Sequence, residues 1–261
     1  MSDARPPLFS TYESGSDVAA YLHYHYFPVG SALLQRFGLV QFSDFHALFF
    51  RRFARVLQAS GQSGAALDVG CAVGRASFEL SRTFGLVMGI DRSSAFIAAA
   101  ERLRVEMRLG FSRQILGHQT ETLEAKLPSG VRPEVVRFEV GDACALREIG
   151  MNFDCVLALN LICRLPDPLA FLTRLHSLVK VGGWLLLATP WSWEHRFTPA
   201  ENWLDGTRSG GEPLDDLRLI LEPAFSLEDR DDLPSLLSET SRKHYWCINQ
   251  CTAWRRRGPE K

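Results

Sequence analysis

Net charge is the first thing missing: 29 Lys plus Arg stand against 30 Asp plus Glu, a formal −1 over 261 residues. No global field draws such a chain to nucleic acid or to an anionic membrane, so neither partner is expected. No window reaches the uninterrupted apolar length that spans a bilayer. The opening MSDARPPLFSTYESG lacks the basic segment and apolar core of a secretory signal. No C-x-x-C occurs: Cys71, Cys144, Cys155, Cys163, Cys247 and Cys251 are scattered, and Cys247 and Cys251 find no second close pair to complete a zinc quartet. The expectation is a cytoplasmic protein with reduced thiols and no metal. A P-loop is excluded because there is no G-K-[ST], and the dinucleotide fingerprint G-x-G-x-x-G fails because Ala72 stands where its second glycine belongs.

What is present is an alternation of periods. Phe42, Phe45, Phe49, Phe53 and Val56 form one helical stripe, with Arg51, Arg52 and Arg55 turned mostly away. Short apolar runs at 65–69, 86–90, 135–140, 153–159 and 184–189 read as strands, with helices from about 74 to 81, 94 to 109 and 168 to 179 between them. Pro168 suits the first turn of its helix, where a missing N–H costs nothing. This order predicts an α/β fold with a parallel sheet and right-handed crossovers. Residues 110–133 read as a helix extension or solvated insertion. Beyond Pro190, a helix near 214–221 precedes two last strands, 225–232 and 245–254, separated by a short helix at 233–237. The first thirty residues show no clean period. One domain is expected: an N-terminal cap and helix (1–60), a cofactor-binding core (61–190) and a substrate-side segment with the final strands (191–261).

The chemistry concentrates at three strand ends. In "ALDVGCAVGRASFEL", Asp68-x-Gly70-x-x-x-Gly74 follows a buried strand, so Gly70 can turn the chain under a ligand and Gly74 can start the helix close to the sheet. Free helix N–H groups there can hold a carboxylate or phosphate. Asp91 ends the second strand, where a carboxylate can accept both hydroxyls of a ribose. Asp142, in Gly141-Asp142-Ala143, ends the third and can accept from an exocyclic amine, with Ala143 or Cys144 near the base. Cys71 and Arg75 beside the turn, Arg92 beside Asp91, and Asn160 after the fourth strand complete the expected cofactor set. Arg75 is expected to meet the cofactor's carboxylate or an acidic neighbour.

These residues resemble the S-adenosylmethionine site of class I methyltransferases, whose Rossmann-like sheet has seven strands, the last antiparallel. More narrowly, "ALDVGCAVGRASFEL", "NLICRLPDP", "FTPAENWLDG", "ETSRKHYW" and "YESGSDVAAYLHYHY" resemble the methyltransferase family that completes ovothiol synthesis, found alone or as the C-terminal domain of a sulfoxide synthase. The departure is Cys163, where an acidic residue is expected. The resemblance implies methylation of 4-mercaptohistidine (5-thiohistidine) on the ring nitrogen nearest its side chain, with S-adenosylhomocysteine as second product and a functional link to a sulfoxide synthase. A small amino-acid substrate would find its carboxylate partner in Arg242 or Lys243 and its ammonium partner in Glu13 or Glu239. Tyr12, His25, Asn160 and Tyr245 are the candidates to touch its ring or sulfur, Asn160 foremost. Trp191, Trp193 and Trp203 could form a lid. Two alternatives stay open: another small heteroaromatic or phenolic acceptor, and an idle fold used as a binding module.

Overall fold

The computed structural model describes residues 12–27, 35–38, 44–58, 64–146 and 150–258. Helix α1 (Gly15–Tyr26) starts at a capping box: the Ser14 hydroxyl accepts from the Asp17 amide at 3.1 Å, and Asp17 accepts from the Ser14 amide. The stretch shows no clean apolar period because its buried face includes Asp17, His23 and His25. The phenylalanine stripe is two helices, α2 (Phe45–Arg52) and α3 (Ala54–Gln58), broken at Phe53. Phe45, Phe49 and Phe53 are fully buried, while Leu57 rather than Val56 takes the next inward position. Phe42 lies outside the described residues.

The crossover core follows in order: β1 (Ala65–Val69), α4 (Arg75–Leu80), β2 (Leu86–Asp91), α5 (Ser94–Glu106), then a hairpin of β3 (Arg108–Leu116) and β4 (Gln119–Lys126). Next come β5 (Val136–Val140), β6 (Phe153–Leu159), α6 (Pro168–Leu178), β7 (Val179–Thr189), α7 (Pro213–Leu221), β8 (Phe225–Ser238) and β9 (His244–Arg256). Seven strands form one sheet in the order β5-β2-β1-β6-β7-β9-β8. β9 alone runs antiparallel to its neighbours β7 and β8, so the expected seven-stranded, mostly parallel sheet is present. Sequence order reverses between β1 and β6, and ligands bind in open α/β sheets at the carboxyl ends beside such a switch.

Three expectations need correction. Of the two readings of residues 110–133, the insertion holds and the helix extension does not: α5 stops at Met107 in the left-handed region (φ 63°), and β3 pairs antiparallel with β4 around Gly117. Alternation along the hairpin buries Leu109 and Ala125 against the core. There is no helix at 233–237, because β8 stays paired with β9 as far as Ser238–His244. β7 begins at Val179 instead of Trp184, absorbing the Gly182-Gly183 pair through a register shift opposite β6.

Each sheet face carries its own core. One gathers Phe45, Phe49, Phe53, Phe78 and Phe84 under α1 to α5; the other gathers Phe171, Leu175, Phe225 and Trp254 under α6 and α7. Burial of such a side chain stabilises by roughly 1.5–3 kcal/mol, which holds the strand ends rigidly in place. No described helix is long and apolar enough to cross a membrane.

Candidate functional site

Backbone strain marks the switch point. Among the described residues, five non-glycine positions have positive φ: Tyr12, Ala72, Met107, Asn160 and Trp191. Met107 is the C-cap of α5. Ala72, Asn160 and Trp191 follow β1, β6 and β7, three adjacent strands, and Tyr12 lies in the segment ahead of α1. Strain of this kind persists where surrounding structure holds it, and it clusters at ligand sites.

The turn after β1 is built from compulsory glycines. Gly70 (φ 77°) leaves no room for a Cβ, which would stand 2.8 Å from Leu161 Cδ1. Gly74 (φ 84°) is closer still, 2.6 Å from Phe138 Cζ. The Gly70 and Cys71 amides donate to the Ile90 carbonyl at 2.7 and 3.1 Å, tying the turn to the end of β2. Asp91 completes that tie: its two oxygens accept the Ala72 and Ser93 amides, both at 2.8 Å. Burial raises the Asp91 carboxyl above its usual range, while the two amides pull the other way. Asp68 is buried within β1, accepts the Ser77 hydroxyl at 2.6 Å, and is pushed up to about 7, chiefly by burial. At the end of β5, Asp142 caps a short turn (Ala143–Ala145) by accepting the Cys144 amide at 2.8 Å. Arg92 is exposed beside Asp91, and the Cys71 thiol is buried and pushed up by that burial.

Asn160 ends β6. Its amide donates to the Ala188 carbonyl at 2.8 Å, and its side-chain Oδ1 is buried with no hydrogen-bond partner. An unsatisfied buried acceptor costs about 1–3 kcal/mol, so this atom is the strongest single mark of a polar ligand here. Trp191 is held by Thr189 Oγ1 at its amide and by Gln250 Oε1 at its indole nitrogen. The other two tryptophans stack on one another, Trp193 donating to the Leu204 carbonyl and Trp203 to the Thr198 carbonyl.

The segment from Tyr12 through α1 touches the β1 and β2 turns and reaches Arg164 beyond β6. The Tyr12 carbonyl accepts the Ser93 hydroxyl at 2.7 Å. Glu13 accepts the Ser94 and Ala95 amides at 3.0 and 3.1 Å, capping α5 from outside. The Tyr26 hydroxyl donates to the Val73 carbonyl in the glycine turn at 2.9 Å. The Tyr12 ring stacks on Phe197 at 5.7 Å, and the Arg164 guanidinium donates to its hydroxyl.

The expected residues therefore separate. Gly70, Cys71, Gly74, Asp91, Asp142, Ala143, Asn160, Tyr12 and Glu13 gather at the strand ends. Arg75 meets an acidic neighbour, Glu79, at 3.0 Å and donates to the His25 carbonyl, so its charge is spent under α1. His25 is buried against His46, ring centroids 4.3 Å apart, and burial lowers it to about 3. Glu239, Arg242, Lys243 and Tyr245 sit at the tip of the β8–β9 hairpin, where Lys243 and Tyr245 both bind the Glu239 carboxylate, at 2.7 and 2.5 Å. Arg164 and Tyr21 also stand at these strand ends, beside Tyr12 and Asp91, and sequence reasoning overlooked them. An arginine four positions past Asn160, inside an apolar stretch, was the available signal for the first. Two open surface clefts, of about 580 and 470 Å³, lie elsewhere, one by Met151, His176 and Arg256 and one by Phe50, Leu57 and Arg82. Neither is bordered by the strained strand ends or the orphaned Asn160 acceptor, so they do not displace the crevice as candidate site. Among the described residues no group of three or more His, Cys, Asp or Glu could hold a metal ion.

Known proteins with this architecture include several methyltransferases. Two ubiquinone biosynthesis O-methyltransferases are similar in sequence. The one from Albidiferax ferrireducens is 30% identical over 47% of this chain and 40% of its own length. The one from Dinoroseobacter shibae is 26% identical over 63% of this chain and 68% of its own. This chain thus spans less than half of the first relative. Among solved structures, magnesium protoporphyrin IX methyltransferase (ChlM) from Synechocystis PCC 6803, with bound SAM, matches at TM-score 0.54 and 19% identity over 95% of this chain and 93% of that one. N-methyltransferase NodS from Bradyrhizobium japonicum WM9, in complex with S-adenosyl-l-homocysteine, matches at 0.52 and 16% over 83% and 88%. The [4+2]-cyclase SpnF matches at 0.57 and 15% over 97% and 98%. At these identities the likeness is one of fold. A family model described as a methyltransferase domain matches residues 42–224, more than half of the sequence, and the chain belongs to that family.

Proposed function

We propose that this protein transfers a methyl group from S-adenosylmethionine to a small acceptor, and that the acceptor is 4-mercaptohistidine, methylated on the ring nitrogen nearest its side chain. The observation that carries the first half is the meeting of the Gly70–Gly74 turn, Asp91 and the orphaned Asn160 Oδ1 at one switch point. The second half rests on the motif resemblance, from "NLICRLPDP" to "ETSRKHYW".

The residues fit such a donor. The glycine turn gives a close backbone approach, Asp91 offers a carboxylate to ribose hydroxyls, and Asp142 with Ala143 borders the base. Asn160 Oδ1 offers a desolvated acceptor to a ligand N–H. Bound there, S-adenosylmethionine supplies an electrophilic methyl carbon. The chain's part is positional: it holds the attacking nitrogen at near-attack distance, fixes the tautomer that bares its lone pair, and excludes water. Trp191 and the Tyr12–Phe197 stack provide apolar walls for that exclusion. Selectivity for nitrogen over the acceptor's sulfur comes from pose. Arg242 is the candidate for the acceptor carboxylate, because Glu239 already neutralises Lys243. A sulfoxide synthase that forms the acceptor's carbon–sulfur bond is the functional partner this reading implies.

Calorimetric titration with S-adenosylmethionine, then product mapping by mass spectrometry with 4-mercaptohistidine and histidine as rival acceptors, tests both halves. Saturable donor binding and a methyl group on the thiohistidine ring nitrogen are expected. Methylation on sulfur, or of histidine alone, overturns the acceptor assignment; no saturable binding overturns the donor. SpnF favours one other reading, because a cyclase on this fold means fold alone does not specify methyl transfer. Saturable binding without turnover of any acceptor would favour that reading.

A further inference from the structure

Arg164 is mostly buried, with 24% of its side chain exposed, and its guanidinium joins the turn after β6 to the segment after β7. Nη1 donates to the Cys163 carbonyl at 2.9 Å and to the Ser192 carbonyl at 2.6 Å. Nη2 meets Ser192 Oγ at 3.2 Å and Glu194 Oε1 at 3.3 Å. The guanidinium carbon lies 5.0 Å from the centre of the Phe197 ring, the same ring on which Tyr12 stacks. With its donors spent on protein groups and the Tyr12 hydroxyl, Arg164 is a clasp and not a free anion binder.

What it clasps lies across the crevice. The segment from Tyr12 to Tyr26 is fastened to the β1 turn through Tyr26 and to the β2 turn through Tyr12 and Glu13. Tyr21 is packed on Phe96 at 4.7 Å, beside Asp91. A donor seated on the Gly70 turn and Asp91 would lie beneath this strap. The third fastening, at the end of β6, is the Tyr12–Arg164 contact, and Tyr12 makes it from a strained conformation (φ 62°) that release would relax. We infer that Arg164 is a positioning residue that latches the Tyr12–Tyr26 strap over the donor crevice, and that opening this latch limits how fast donor and product exchange.

The inference rests on the donor reading above, and its signature is kinetic. A group that touches the ligand slows dissociation only; a latch on a gate slows entry and exit alike. S-adenosylhomocysteine is the probe, followed by stopped-flow tryptophan fluorescence. In Arg164→Gln both rate constants rise tenfold or more while Kd moves less than threefold. Tyr12→Phe keeps the ring and its stack, removes the hydroxyl, and raises both rates by a smaller factor. The double variant then gains less than the product of the two. Amide hydrogen exchange of α1 in the ligand-free chain quickens tenfold or more in Arg164→Gln, with an unchanged circular dichroism spectrum showing that the fold survives. A rise in the dissociation rate alone, or no change beyond twofold in either rate, overturns the latch. Failure of the unaltered chain to bind S-adenosylhomocysteine is a separate result that removes the donor reading and the latch together.

Discussion

The two sides of the crevice are made differently. The proposed donor side, at the ends of β1, β2 and β5, is built from short sequence motifs and backbone amides: two glycines, and carboxylates that each hold an amide two residues on, Asp91 to Ser93 and Asp142 to Cys144. The proposed acceptor side, at the ends of β6 and β7, is built from side chains brought together over long distances in sequence. Tyr12 meets Phe197, Trp191 meets Gln250, and Arg164 meets both Tyr12 and Glu194. Local backbone sites tolerate little change and recur across a fold; assemblies of distant side chains can be altered one at a time. Conserving the donor and varying the acceptor needs this division.

The comparison can be tested from its most rigid point outward. Gly74→Ala should destabilise by about 3 kcal/mol, combining overpacking with a left-handed backbone, because the new methyl would stand 2.6 Å from Phe138. Denaturant unfolding checks this, and a loss below the error of that measurement would mean the turn is not rigid. Next, Asp91→Ala should weaken donor binding ten- to a hundredfold, the range for hydrogen bonds to a charged group at about 1.5–3 kcal/mol. Unchanged calorimetric affinity would break the donor assignment.

Acid should loosen the α1 side before it touches the sheet. Burial lowers His23 and His25 to about 3 and His46 in the same direction, so the folded chain binds fewer protons than the unfolded chain below pH 6.5. Their stabilising contribution is complete above pH 6.5 and is lost on acidification toward 3, at about 1.4 kcal/mol per pH unit for each imidazole. Asp68, raised to about 7, acts oppositely, its contribution falling as pH rises from 3.8 to 7. Burial raises Asp91 in the same sense as Asp68; three imidazoles outweigh two carboxyls, so of these groups the histidines set the sign: melting temperature should drop between pH 6.5 and 5, and His25→Gln should flatten the slope. The smallest effect is expected at the hairpin tip. With 4-mercaptohistidine as acceptor, Arg242→Ala should raise its KM about tenfold, roughly the loss of one charge-assisted contact, and leave donor affinity within twofold. Equal effects on donor and acceptor would erase the distinction between the two sides.

Legibility followed the same division. The β1 turn, Asp91 and Asp142 could be read directly because a strand followed by Gly-x-x-x-Gly, or ending in Asp, states its geometry within a few residues. The parallel strands were readable because both faces are covered and their runs are nearly continuous. The β3–β4 hairpin was hidden by its polar alternation, although the Gly117-His118 loop between two alternating segments is a hairpin signal. Helix α1 was hidden because His23 and His25 face inward and interrupt the apolar period. Ser14 and Asp17, three apart, were the cue. Arg164 signalled itself only as a charge inside an apolar stretch; its role was not legible, since every partner but Cys163 lies more than twenty residues away.

The outer strand of the sheet has its own consequence. Among the described residues β8 pairs with β9 alone, and Arg52 donates to its Arg230 carbonyl, so the rest of its outer edge is a template on which another chain could add. Glu228, Arg230 and Asp232 stand exposed at every second position along it, and Pro234 has no amide hydrogen to offer. An incoming strand would have to strip water from a charge at each step and then meet a gap in the ladder. At this edge the side chains of β8 therefore oppose the addition of a strand.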